Sequence, residues 1–415
     1  MGETKANVPP PPIFPTTPIF YDDLSGIDLI LISIVLWGWG ALQPTLGDDP
    51  CRNWLDQERL KKEVLYGPQP NRGTRLKRSY FRFPHQNTMI PQAHFSIHAL
   101  QAGYLTLPEA FFVTPLEDNT SRTTVPSLSF LIQHTHPVSL KTTRIVFDLG
   151  IRPNLSDYAK PLYDHAMTRR PLSGEPGTVA SLAHGGLTPS DIDFVIFSHL
   201  HWDHIGAPSD YPNSTYVVGP GAASLVNGTR ELSNGSHSHF EKGILDLSRT
   251  IELPSPELPS TPPPFKDNAK LEPESRKRSS LFSNVWRSKG LFQHSMDVFG
   301  DGSLYIISAP GHLDGHINLL CRKSEDQYVY LAGDACHDPR LLTGEKNIAT
   351  WIDPAYPTSI CCIHVNKAAA ERTIATIRET MENPGELGNV EVIFAHDAAW
   401  DREAKKLGKF FPGCL

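Results

Sequence analysis

The sequence predicts an α/β fold built in layers, and three observations carry that prediction. Short apolar runs of strand length recur from residue 95 to the C-terminus. Pro, Gly and Asn/Asp turn signals separate them. An amphipathic helical segment stands between the last two runs. The 415 residues, 39% of them hydrophobic, are enough to bury a large core.

Taken in order, residues 1–90 read as an N-terminal extension. PPPPIFPTTP comes near the start, the apolar run LILISIVLWGWGAL fills 29–42, and the basic NRGTRLKRSYFRF leads out. The apolar run is short for a membrane span and has the size of a signal h-region. Its flanks carry Asp22, Asp23, Asp28, Asp48 and Asp49 instead of Lys or Arg. A buried helix, or an upstream extension preceding a true start at Met89, is the favoured reading; a membrane anchor or secretory signal is the alternative.

The folded domain is expected over 91–415. Strands are expected at 95–100, 128–132, 144–147, 304–308, 317–321, 328–332 and 390–394. A helix is expected after Asn366 as N-cap, with Ala370, Ile374, Ile377 and Met381 as its apolar stripe and Asn383, Pro384 and Gly385 ending it. A Pro-rich insert occupies about 254–280 and reads as an exposed loop.

The formal charge of −7 argues against a general affinity for nucleic acid or acidic membrane, so the expected partner is a small molecule. Cys51, Cys321, Cys336, Cys361, Cys362 and Cys414 form no CxxC pair, as in a cytoplasmic protein with reduced thiols. Sequons at Asn119, Asn154, Asn213, Asn227 and Asn234 would suit a secreted chain, but such short patterns arise readily in polar loops.

The chemistry concentrates in FSHLHWDHIG. His199, His201, Asp203 and His204 place four potential metal ligands in six positions, directly after the apolar run Phe194, Val195, Ile196 and Phe197. Imidazole and carboxylate together suit Zn²⁺, with Mn²⁺ or Fe as alternatives. Four ligands cannot close two sites. Further candidates follow other strand-like runs: His312 in APGH, Asp334 in GDACH and His396 in AHD. The pairs His134/His136 and His237/His239 lack a neighbouring carboxylate and read as surface histidines. Cys336 reads as a small buried spacer. Of Phe282, Trp286, Phe292 and Phe299, a few are candidates for an apolar pocket and most for core.

The ordered set SHLHWDH, APGHLDGH, LAGDACH and FAHD, preceded by FDLG at 147–150, resembles the metallo-β-lactamase superfamily. Within it the motifs are most similar to N-acyl-homoserine-lactone lactonases and their fungal lactonase and γ-lactamase relatives. The resemblance implies a four-layer αββα sandwich and two zinc ions. One would be held by His199, His201 and His312, the other by Asp203, His204 and His396, with Asp334 bridging. Asp148 and His316 would stand behind the ligands.

The implied activity is hydrolysis of a cyclic ester or amide, a lactone or γ-lactam of a small secondary metabolite or xenobiotic, by a shared hydroxide. Asp203, Asp334 and His337 are the catalytic candidates. Two departures bear on substrate. Class B β-lactamases generally have a Cys ligand where this chain has Asp334, which argues against antibiotic hydrolysis. Bacterial lactonases typically have Tyr where His337 stands. Thioester hydrolysis, of glyoxalase II or polyketide-releasing type, is the alternative, ahead of a phosphodiesterase or an iron-dependent oxidoreductase.

Overall fold

The computed structural model describes residues 94–230, 232, 239–257, 273–353 and 357–415. The extension at 1–90, its apolar run at 29–42 and residues 258–272 of the insert lie outside the described residues. Among the described residues no helix is long and apolar enough to cross a membrane.

Among the described residues, two six-stranded sheets form the body of the fold, beside two small two-stranded sheets. The first runs in the order His94–Pro108, Arg122–Thr135, Thr142–Phe147, Phe194–Ile196, Thr215–Val218, Thr250–Glu252. The second runs Asn389–Ile393, Gln327–Leu331, Ile317–Ser324, Leu304–Ser308, Phe292–Asp297, Arg287–Lys289. The runs expected from the sequence fall on these strands, while the short strands at 215–218, 250–252 and 287–289 were not expected. They are three or four residues long, below the length at which alternation becomes legible.

Strand alternation explains the layering, because successive side chains face opposite sides of a sheet. Ile145, Phe147, Phe194 and Ile196 of the first sheet share one core with Leu319, Cys321, Val329 and Leu331 of the second. Val146 and Val195, one residue out of phase, pack outward with Leu182 of the helix Gly177–His184. Leu320 and Tyr330 likewise pack outward against Ala370, Ile374 and Ile377 of the helix Lys367–Glu382. The result is helix, sheet, sheet, helix, the αββα arrangement. Strands covered on both faces read as continuous apolar runs.

The long helix begins where expected, with the Asn366 side chain accepting from Ala369 N. Its inner face departs from expectation at one place. Met381 is exposed and Thr380 is buried, donating its hydroxyl to Thr376 O at 2.8 Å.

Phe282 and Phe292 are core, and Trp286 and Phe299 pack against it, so none of the four lines the functional cleft. His134 is buried, not on the surface, and lies 2.8 Å from Asp301 while stacking on Phe299. Cys321, Cys336, Cys361 and Cys362 are buried free thiols, whereas Cys414 is disulfide-bonded, so the cysteines select no compartment.

Strand direction sets up the site. Thr142–Phe147, Phe194–Ile196 and Thr215–Val218 are mutually parallel, so their C-terminal ends meet at one edge. In the second sheet Gln327–Leu331 and Asn389–Ile393 are parallel, and Leu304–Ser308, two antiparallel steps away, points the same way. Every candidate ligand follows one of these ends.

Leu319 is fully buried between the sheets. Leu319→Ala is expected to lower unfolding free energy by about 2–5 kcal/mol, read from the shift in the denaturation midpoint.

Candidate metal centre

The segment after Phe194–Ile196 is fixed first. Asp148, at the end of the neighbouring strand, has φ of 59°, a left-handed conformation that Asp tolerates better than most residues. Its carboxylate accepts from Ser198 N and Ser198 Oγ, both at 2.7 Å, and lies 2.9 Å from His204 Nδ1. One buried carboxylate thereby positions both ends of the loop that carries His199 to His204.

These bonds also decide tautomers. The Ser198 hydroxyl donates to Asp148, so at 3.0 Å it accepts from His199 Nδ1, and His199 Nε2 is left with a lone pair. His204 Nδ1 donates to Asp148. His396 Nδ1 donates to Pro126 O at 2.7 Å. In each ring the other nitrogen is turned toward the centre, the arrangement that metal-binding histidines need. His316 is different: its Nδ1 donates to Ala309 O at 3.1 Å and its Nε2 accepts from Asp334 N at 3.1 Å. Both its nitrogens are engaged, which makes it a positioning residue for Asp334. Burial pushes its pKa down to about 4, so the ring is neutral.

The exposed faces of these rings form two clusters. His199 Nε2, His201 Nδ1 and His312 Nε2 are separated by 2.9, 3.2 and 3.0 Å. Three tetrahedral ligands at ordinary Zn–N distances would stand roughly 3.3 Å apart, so the triangle matches a zinc face. Asp203, His204 and His396 form the second cluster.

Asp334 lies between them. Its Oδ2 is 3.6 Å from His199 Nε2 and 3.4 Å from His312 Nε2; its Oδ1 is 3.1 Å from His204 Nε2 and 3.2 Å from His396 Nε2. His204 Nε2 and Asp334 Oδ1 face each other without hydrogen-bond geometry, and both are buried with no hydrogen-bond partner. Such atoms are costly to leave uncompensated. A divalent cation would satisfy them, and the donor set fits one.

The electrostatics agree. Burial drives His199 and His312 well below the usual imidazole range, as expected of neutral donors. Burial also acts to lower His204, but Asp334 and Asp148 outweigh it and raise the group well above that range. His396 is raised in the same way, against burial, by Asp334. Burial acts to raise Asp334, yet His204, His396 and His337 hold it far below the carboxylate range. The negative charge that raises these two rings, that of Asp334 and at His204 also Asp148, favours a cation at the same place.

The structure thus brings together all seven residues that the sequence singled out as ligands. His337 joins them, its Nε2 at 3.0 Å from Asp334 Oδ2, so it is held by the carboxylate and does not stand apart from it. Cys336 turns away: its Sγ donates to Asp338 O at 3.0 Å, and burial pushes the thiol up to about 12. Gly333 allows the approach of the loops. At φ +47°, a Cβ there would stand 2.8 Å from Ser198 Cβ and 3.2 Å from His316 Nε2.

A cleft opens over the centre. His201, Asp203, His312, Asp334, His337 and His396 lie in its lining. Leu105, Leu107, Phe112 and Ile363 provide apolar surface, and Arg169, His165 and His239 provide polar surface. His239 had read as a surface residue in a polar turn. Instead it packs against His165, with ring centroids 4.5 Å apart. His364 is a further histidine that the sequence did not mark. It groups with His312 and His337, because Val365 N and Asn366 N donate to His312 O and Gly311 O and draw its loop inward. Nothing in CCIHVN signals this.

Residues 122–223, which contain Asp148 and the whole HxHxDH segment, match the family model of the metallo-β-lactamase superfamily. The resemblance read from the motifs is thus shown for this segment of the chain. Its relatives carry several activities. A cytochrome P450 monooxygenase of Penicillium brevicompactum is 27% identical over 80% of this chain and 37% of its own length. A γ-lactamase of Fusarium pseudograminearum is 28% identical over 60% of this chain and 55% of its own. An N-acyl homoserine lactonase of Rhizobium radiobacter is 24% identical over 58% of this chain and 71% of its own. The chain therefore spans little more than a third of the first of these relatives and about half of the second. The chain is thus similar in sequence to proteins named as γ-lactamases and lactonases.

Gly333→Ala is expected to reduce metal content at equilibrium and to lower stability by about 1–3 kcal/mol. Elemental analysis and thermal melting of the purified variant check both.

Proposed function

We propose that this chain is a dinuclear zinc hydrolase that opens a cyclic ester or amide, a lactone or γ-lactam, of a small molecule. One observation carries the dinuclear reading: the two oxygens of a single buried carboxylate, Asp334, face two separate imidazole clusters. The γ-lactamase and lactonase relatives support the substrate class. Zinc is favoured because the donors are imidazole and carboxylate.

His199, His201 and His312 would hold one ion, Asp203, His204 and His396 the other, and Asp334 both. Bound there, the pair supplies Lewis acidity and lowers the pKa of coordinated water toward neutrality.

The chain's own groups do the rest. Asp334 fixes the spacing of the two clusters, and Asp203 lines the cleft with its Oδ2 3.6 Å from His396 Nε2. His337 carries a different task. Its Nε2 is committed to Asp334, and its Nδ1 is buried with no hydrogen-bond partner. With its Nε2–H given to Asp334, the ring carries its lone pair on Nδ1. It can take up a proton and return it to a leaving alkoxide or amide nitrogen, which needs that proton far more than a thiolate does.

Zinc-loaded protein is expected to bind roughly two ions per chain and to hydrolyse γ-lactones or γ-lactams. Asp334→Ala or His204→Ala is expected to lower bound metal and to cut turnover by at least about a thousandfold. Metal analysis run beside a screen of lactones, lactams and thioesters decides it. Unchanged turnover in the two variants defeats the mechanism, thioester-only turnover moves the assignment to a thioesterase, and iron with redox activity moves it to an oxidoreductase.

A further inference from the structure

The cleft holds one feature that the metal chemistry does not use. Arg169 is the only Lys or Arg among the described residues in its lining. Its backbone is fixed on both sides: Arg169 N donates to Ala166 O at 2.9 Å, closing the helix Lys160–Met167, and Arg169 O accepts from Thr106 N at 2.8 Å on the first strand. Among the described residues its guanidinium makes no hydrogen bond and no ion pair, although it is partly buried.

Arg152, which lines the adjoining hollow, shows the usual arrangement. Its Nε donates to Gly206 O, its Nη1 donates to Asp157 O, and its Nη2 pairs with Glu241 at 2.9 Å. Guanidinium groups removed from water are normally compensated in this way. Among the described residues no acceptor meets the five donors of Arg169, although the charge of Asp203 attracts it without a hydrogen bond.

The surroundings indicate what meets it. His165 is neutral, with burial first and the Arg169 charge second pushing its pKa down to about 3, so it adds no second cation. A single planar guanidinium matches a carboxylate, which it grips with two parallel bonds. It would underbalance a phosphate dianion beside Asp203 and Asp334. The apolar side chains Leu105, Leu107, Phe112 and Ile363 supply room for a hydrocarbon or aromatic body.

We propose that Arg169 sets the specificity of the cleft by binding an ionised carboxylate, so that the substrate class is a lactone or lactam bearing a free acid on an apolar body. The reaction in that statement rests on the ring-opening reading above; the carboxylate does not.

The test uses the metal-loaded protein and two probes without a lactone ring, a tetrahydrofuran ring bearing a hexanoic acid chain and its methyl ester, the ester being confirmed intact after each titration. Isothermal titration calorimetry is expected to show the acid binding at least about tenfold more tightly than the ester. Arg169→Met should abolish that difference while leaving ester affinity within about threefold, and Arg169→Lys should keep part of it. Arg169→Gln, judged beside thermal melts, replaces the Met variant if that one folds poorly. Equal affinity of the two probes for the unaltered protein, binding of neither, or a preference that survives in the Met and Gln variants overturns the proposal. The matching γ-lactone acid and ester, run for turnover, separate the two questions. Failure to open either lactone counts against the ring-opening reading, whereas the calorimetry still decides Arg169.

Discussion

A carboxylate with almost no access to water, set among imidazoles of five histidines, is the constraint on which this molecule is organised. Burying such a group is expensive, and proximity to ring nitrogens compensates only where geometry is held closely. Asp334 is held closely. Its backbone N–H is anchored on His316, its loop passes Ser198 at glycine, and each oxygen looks toward a different cluster. The strands that end near it share a direction, so the sandwich delivers every donor to one edge without long connecting loops.

Behind the donors stands a layer of residues whose work is orientation. Asp148, Ser198, the carbonyl of Pro126 and the carbonyl of Ala309 each take one hydrogen from an imidazole, directly or through a hydroxyl, and so determine which nitrogen remains open. This explains why the histidines differ so widely in proton affinity although they are neighbours. His199 and His312 meet other imidazoles and lose affinity for protons, whereas His204 and His396 meet the carboxylate and gain it. The centre is polarised before any ligand arrives, which is the condition for electrostatic preorganisation.

Above the centre the cleft has a mixed lining, apolar in Leu105, Leu107, Phe112 and Ile363 and cationic at Arg169. On the proposed reading, the imidazole and carboxylate groups would not by themselves discriminate among esters, amides and thioesters. Discrimination would then belong to these outer residues, as expected for a fold whose core chemistry is shared and whose rims vary. The range of activities among the relatives agrees with that separation.

HxHxDH, APGH, GDACH and AHD were legible because metal ligands sit at fixed short spacings beside strands buried on both faces, and buried strands announce themselves as apolar runs. Asp334 and His396, 62 positions apart in number, could be paired from the sequence only through the family resemblance; in the structure, parallel strands bring them within 3.2 Å. His364, His239 and Arg169 carried no signal at all, because a lone histidine or arginine on an irregular segment looks the same whether it faces water or a cleft. The sequence by itself determined which atoms could bind metal and which strands would carry them. Only the tertiary structure decided which nitrogen of each ring points inward and which cation lines the cleft, since both depend on hydrogen bonds and packing between segments that are distant along the chain.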